Sequence, residues 1–421
     1  MTTLQWSSEL PAGWKVEKAR RVLRRVKRPV RPEDRTVTAF RDGEVTLRSN
    51  RRTEGFTEAF AEFGYHGVRA GDLAVHAMDG FAGAIGVSDS DGKVSPVVHL
   101  YNVGLGDARF FAYALREAAQ AGFVTSLAKG IRERSTSFDP QTLAAMDLPV
   151  PEPHTQRRIA DYLDRETATI DALIDKQRAM RDLLAARRIR VMHALVTGQE
   201  RERRASSEHW FGSLPSDWNS ARLSHLSQIV LGKMINARTV SPGQTALPYL
   251  AAGSIQPDRL ILDKCKVISV NEDEIEKYSL RSGDVLVVEG GAGYGRSHVL
   301  RAGLSGWVFQ NHVARVRVDR GRLEPRYLRG ALEVCRGSGF FEANNRTATL
   351  PSLSREVLGA LVIPLPPLVE QREIADHLDR ETAKIDALIA KAERFIELAQ
   401  ERRAALITAA VTGQIEIPTE D

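Results

Sequence analysis

The sequence holds only two cysteines, Cys265 and Cys335, and neither belongs to a CxxC pair. A disulfide framework or a cysteine zinc site is therefore not expected, and the cytoplasm is the expected compartment. Nowhere do 18 apolar residues run uninterrupted, so no membrane span is expected. The opening MTTLQWSSELPAGW lacks the basic start and apolar stretch of a signal peptide. Catalytic signatures are missing as well: there is no HExxH, no P-loop and no GxSxG. Neither an NPP[YF]-like tetrad of amino-methylating enzymes nor an acidic pair followed by ExK is present. His76, His99, His298 and His312 are scattered singly and read as structural, so no metal site is expected. The strand-and-glycine segment VLVVEGGAGYG, residues 285–295, spaces its glycines as GxGxG rather than GxGxxG. A poor helix start follows it, so it reads as a turn between strands.

What is present points to a multidomain chain. Its 421 residues exceed one ordinary domain, and a 43% hydrophobic content supports real cores. The net charge is +5, but residues 1–50 carry 12 Lys/Arg against 6 Asp/Glu. The surplus is densest in KVEKARRVLRRVKRPVRPEDR, residues 15–35. Such a run either displaces counterions from a polyanion or forms a solvated basic helix. Composition leaves both open.

The organising feature is an internal duplication. Residues 149–199 and 364–414 align without a gap at a shift of 215, with 27 of 51 positions identical. Prolines 149, 151 and 153, and 364, 366 and 367, bar helix before each segment; Gly198 and Gly413 supply stops. Each segment is predicted to be one helix of about 40 residues, roughly 60 Å long. The apolar spacing alternates threes and fours, as in a coiled coil. It places Ile159, Leu163, Glu166, Ile170, Leu173, Leu184 and Arg187 on the seam of the first helix. In the second it places Ile374, Leu378, Glu381, Ile385, Leu388, Phe395 and Arg402 there. A parallel pairing would set Glu against Glu and Arg against Arg. An antiparallel one brings Glu166 near Arg402 and Glu381 near Arg187, and is the expected arrangement.

Weaker echoes extend the repeat. LPAGW at 10–14 returns as LPSDW at 214–218, and GVRAGDLAV at 67–75 as SLRSGDVLV at 279–287. The expected plan is a globule at 1–150, a helix at 151–200, a globule at 208–363 and a helix at 364–416. Short strands at 73–78, 285–290 and 312–318, with helices at 108–122 and 326–337, predict α+β globules rather than doubly wound sheets.

The LPxGW opening, the GD-then-strand segment and IPLPPLVEQREIADHLDRETAKIDALI at 363–389 resemble the specificity subunits of type I restriction-modification systems. The resemblance covers essentially the whole chain. In the first copy the PLPPxxEQ element is reduced to PVPEPHTQ. It implies two target-recognition domains held apart by an antiparallel helix pair, each reading one half of a bipartite, asymmetric double-stranded DNA site. It implies partners as well: two modification subunits and restriction (motor) subunits. S-adenosylmethionine, ATP and Mg2+ would act through those partners, with no cofactor and no catalysis in this chain. Candidate DNA contacts are Arg24, Arg25, Arg28, Arg31, Arg132 and Arg134 in the first globule. In the second they are Lys233, Asn236, Arg238, Arg296, Asn344, Asn345 and Arg346, since Arg reads guanine and amides read adenine. Two other readings stay open: a decoy that captures modification subunits, and a fragment of a fused methyltransferase-nuclease. Footprinting of the reconstituted complex separates them.

Overall fold

The computed structural model describes residues 3–4, 7–51, 63–104, 106–123, 138–199, 210–235, 243–256, 259–263, 265–344 and 352–418. The two duplicated segments are long helices, Pro153–Thr197 and Leu368–Val411. Proline is tolerated at the first helical position because the N–H it lacks would have no partner there. Just past the C-terminal ends, Gly198 at φ +61° and Gly413 at φ +71° take the left-handed conformation that stops a helix.

The chain divides into two compact units, residues 1–177 with 394–421 and residues 178–393. The first unit is built on strands β1 (Lys15–Lys18), β2 (Arg24–Val26), β3 (Leu73–His76), β4 (Ile85–Val87) and β5 (Val98–Asn102). They are followed by helices α1 (Ala108–Gln120) and α2 (Pro140–Ala145) and strand β6 (Asp147–Val150). An antiparallel sheet runs in the order β2-β5-β3-β4, and β6 pairs back on β1. Its main core joins Leu73, Ile85 and Phe110 to Ile159 and Leu163 of the first long helix and to Ile407 and Val411 of the second.

The second unit repeats this topology. It uses β7 (Asn219–Arg222), β8 (Ser227–Leu231), β9 (Val285–Val288), β10 (Ser297–Val299) and β11 (Val313–Val318). Helices α3 (Pro325–Gly337) and α4 (Arg355–Ala360) and strand β12 (Val362–Leu365) complete it. The sheet order is β8-β11-β9-β10, antiparallel throughout, and β12 pairs with β7. A further small sheet, Val267–Val270 beside Thr245–Leu250 beside Val308–Phe309, is packed around Leu250, Val270 and Leu286. The glycines at 291–293 form a short 3-10 turn leading to strand β10, not a phosphate-binding helix.

Within each unit the stretches of the two long helices run antiparallel. Ile159 shares a core with Val411, and Val196 with Ile374, so rising numbers on one helix meet falling numbers on the other. The seam differs from the one read in the sequence. Leu163, Ile170, Leu184, Leu378 and Ile385 are buried as expected, and Ile159 and Ile374 lie in the cores. The alternate positions slip by one residue: Thr167 and Ile174 are buried where Glu166 and Leu173 were expected, and Thr382 where Glu381 was. Leu173, Leu388 and Phe395 are exposed, as are Arg187 and Arg402. The cause is the threonine hydroxyl. Thr167 Oγ1 donates to the Leu163 carbonyl at 2.6 Å and Thr382 Oγ1 to that of Leu378 at 2.8 Å. A threonine satisfied in this way can be buried, and the adjacent glutamate turns outward.

Candidate nucleic-acid interface

The duplicated motifs meet at the helix ends. Ideal Cβ atoms built on Gly413 and Gly198 would lie 2.4 Å from Pro11 Cγ and 2.5 Å from Pro215 Cγ. The LPxxW motifs thus press on the two glycine stops, with Trp218 only 1% exposed. At the helix starts the glutamine of the PLPPxxEQ element is a bracket. Gln156 Nε2 donates to the Pro151 carbonyl and its Oε1 accepts from Asp107 N. Gln371 does the same with the Pro366 carbonyl and Glu324 N. This explains why Gln survives where the first copy's motif is otherwise eroded.

Arginines beside these brackets lock each globule to its helix. Arg109 reaches Asp161 and Asp164, each at 2.8 Å, while Arg326 reaches Asp376 at 2.7 Å and Asp379 at 3.2 Å. Hydrogen bonds to Asp107 and these carboxylates drive the Arg109 pKa upward, so it is a permanent cation. Between the helices, Arg403 pairs with Asp171 at 2.9 Å in the first unit, and Arg188 with Asp386 at 2.8 Å in the second. Arg403 and Arg188 lie one place along from Arg402 and Arg187, and their aspartates five places along from Glu166 and Glu381; the charge of Arg187 still acts on Glu381. The halves diverge at one nearby position. Helix α3 places Glu333 3.8 Å from Arg188, whereas α1 offers Arg116, whose pKa burial lowers and the charge of Arg403 lowers further.

Carboxylates also sort the candidate DNA contacts. The GD aspartates are structural: Asp72 and Asp284 are buried, accept from Arg69 N and Arg281 N across the turn, and hold Arg28 and Arg317. Arg28 is thus a fork on Asp72, and the backbone N–H of Arg31 donates to Asp34 while its guanidinium is 3.7 Å from Asp91. Lys233 pairs with Glu274, and Arg296 donates to the Ile255 carbonyl at 2.9 Å and to Gln256 at 3.0 Å. Arg24 and Arg25, on the sheet-edge strand β2, are exposed. Asn344 ends the short helix Phe340–Asn344. Arg132, Arg134, Asn236, Arg238, Asn345 and Arg346 lie outside the described residues. In each unit, then, some expected contacts are tied to the protein itself. Pairing partners are invisible to a linear reading. Lys27, exposed beside Arg25, has no spacing that marks it out within the basic run.

Large apolar side chains are also exposed at matching places in the two long helices. Leu173, Met180 and Leu183 are 42%, 50% and 60% exposed, and their counterparts 215 residues on, Leu388, Phe395 and Leu398, are 49%, 41% and 47% exposed. Exposure of one large apolar residue is ordinary, but its repetition at the same three places in both copies is not.

The fold is that of type I specificity subunits. A chain from a study of complex assembly and conformational transition of the type I R-M system superposes with a TM-score of 0.66 at 19% identity, covering 97% of this chain and 100% of that one. The HsdS subunit of Thermoanaerobacter tengcongensis gives 0.50 at 19% identity, over 97% and 99% of the two chains. The type I restriction modification DNA specificity domain matches residues 215–397 of the 421. Among curated relatives, the EcoBI specificity subunit of Escherichia coli is 30% identical over 114 residues, which are 27% of this chain and about a quarter (24%) of that protein. The putative MjaX specificity subunit of Methanocaldococcus jannaschii is 24% identical over 318 residues, 74% of this chain and 68% of that protein.

Proposed function

We propose that this chain is the non-catalytic reader of a type I restriction-modification complex, each globule recognising one half of a bipartite, asymmetric double-stranded DNA site. The observation that carries the reading is the duplication of the scaffold contacts. Arg109 and Arg326, Gln156 and Gln371, and the pairs Arg403–Asp171 and Arg188–Asp386 repeat across the halves. The globules between them have diverged, as two readers of different sequences must. Repeated frames with unlike readers match unlike half-sites, as symmetric repressors match like ones.

Two modification subunits dock on the helices in this reading. The repeated exposure of Leu173, Met180 and Leu183 at Leu388, Phe395 and Leu398 supports two copies of one partner. Restriction subunits join that core, and S-adenosylmethionine, ATP and Mg2+ belong to the partners. Methylation-sensitive sequencing of a host genome with the gene deleted and restored tests the function. One bipartite methylated motif should vanish and return; an unchanged methylome would reject the reading. Replacing the first globule with that of a relative should alter one half of the motif and spare the other.

A further inference from the structure

We propose that Arg25 and Lys27 form a phosphate clamp on the edge of the first unit's sheet, gripping the DNA backbone, with His99 as the residue that positions Arg25. The inference rests on the DNA-reading function above and names where that reading makes its backbone contact.

Of the eight cations between residues 18 and 31, four face carboxylates, while Arg20, Arg24, Arg25 and Lys27 have no carboxylate partner among the described residues. Lys18 pairs with Asp147, Arg21 with Glu17, Arg28 with Asp72, and Arg31 is 3.7 Å from Asp91. Arg25 instead meets a neutral partner: its guanidinium donates to His99 Nδ1 at 3.3 Å. Lys27 has no carboxylate partner among the described residues, and both side chains are exposed. Strand register puts Arg25 opposite Tyr101, with His99 two residues before it on the same face of β5. Lys27 and Arg25 both act electrostatically on His66, which is only 6% exposed, so the five residues form one cluster.

Among the described residues no carboxylate pairs with either cation. Burial, and then the charge of Arg25, push the His99 pKa down to about 4, and burial pushes that of Tyr101 up to about 12. At neutral pH the histidine carries no charge and the phenol keeps its proton. The one acid acting on both, Asp139, is spent capping α2 through Gln141 N and Thr142 N. Arg21, Arg28 and Arg31, which face carboxylates, have little field left for a ligand, whereas Arg25 and Lys27 keep theirs, as do the exposed Arg20 and Arg24. A strand edge also presents successive side chains along a line, as a backbone of repeating phosphates requires. An acidic peptide would suit the charge but would not give a linear counterion signature.

The test is a salt titration of the full-length chain with a short random-sequence duplex, read by fluorescence anisotropy. Each phosphate contact contributes about 0.9 to the slope of log affinity against log salt. R25Q/K27Q should lower that slope by about 1.8 and weaken binding to every sequence alike. H99A should reproduce part of the R25Q loss, and H99Q, which keeps an acceptor for Arg25, should retain wild-type binding. Thermal melts confirm that each variant is folded. An unchanged slope would overturn the clamp. Loss confined to the recognised sequence would do so too, by making Arg25 a base reader. Wild-type chain with no affinity for duplex DNA at low salt would instead overturn the DNA reading, and the clamp with it.

Discussion

Arg403 Nε stands 2.9 Å from an Asp171 carboxylate oxygen, and the same contact recurs as Arg188 with Asp386, 215 residues removed on each side. The pair is an antiparallel register mark, since only one alignment of the helices brings both members together within a unit. Arg403 is 22% exposed and Asp171 49%, so solvent screens the attraction and its worth is about 0.2–1 kcal/mol.

Charge exchange tests the register. R403D alone should set two carboxylates together and lower stability in urea by about 1 kcal/mol, while R403D/D171R should recover most of the loss. Additive losses in the double variant would mean that the two residues do not meet.

The helix stops should be far less tolerant. Gly413 is at φ +71°, and a Cβ there would fall 2.4 Å from Pro11 Cγ, well inside contact distance. G413A combines a left-handed strain of about 1 kcal/mol with a displaced LPxxW motif, so a cost of about 2–3 kcal/mol is expected. G198A should behave alike through Pro215 at 2.5 Å. Calorimetry that found either variant as stable as wild type would refute this packing.

Much of this architecture was legible in the sequence because duplication and proline-glycine punctuation are local signals. The helix ends follow from them, while α1, α3 and the central strands follow from apolar periodicity and the antiparallel sense from the charges near the seam. The seam frame was only half legible. Glu166–Thr167 and Leu173–Ile174 each offer two plausible neighbours to a 3.5-residue repeat, and a hydroxyl bonded to the preceding turn decided the first pair. The DNA face was the least legible. Arg28 and Lys27 look alike in a basic run, and only folding reveals that one meets Asp72 and the other meets no carboxylate among the described residues. Charge compensation is a long-range property, here across the 44 residues that separate Arg28 from Asp72.

Arg116 marks where the halves diverged at a cost. Its guanidinium lies under the turn at Gly43 and over the Tyr113 ring, its Nε is buried without a hydrogen-bond partner, and Arg403 repels it. Asp42 and Asp171 offset this only in part, and replacing a buried charge so poorly compensated with an apolar chain of similar length removes desolvation and repulsion together. R116M is therefore expected to stabilise the chain by about 1 kcal/mol, raising its melting temperature by a few degrees. The same change at Arg109, which is held by three carboxylates, should do the opposite. A melting temperature lowered by R116M would show that its cation has a partner in solution.

Acid sensitivity follows from His99. Burial first, then Arg25 and His66, hold its pKa at about 4 in the folded chain, against an ordinary value of 6.5. Asp139 opposes this shift, and His76 adds weakly to it. Between those two values the unfolded chain binds a proton that the folded chain refuses, so stability rises with pH across the interval. The contribution is complete above pH 6.5 and is lost as pH falls toward 4. H99N cannot take up that proton, while His66 and His76 remain to titrate in both proteins. Melting temperatures measured from neutral pH to pH 4 should therefore fall less steeply for H99N than for wild type. Parallel curves would mean that His99 is protonated as readily in the folded chain as in the unfolded one, and Arg25 would then face a cation instead of an acceptor.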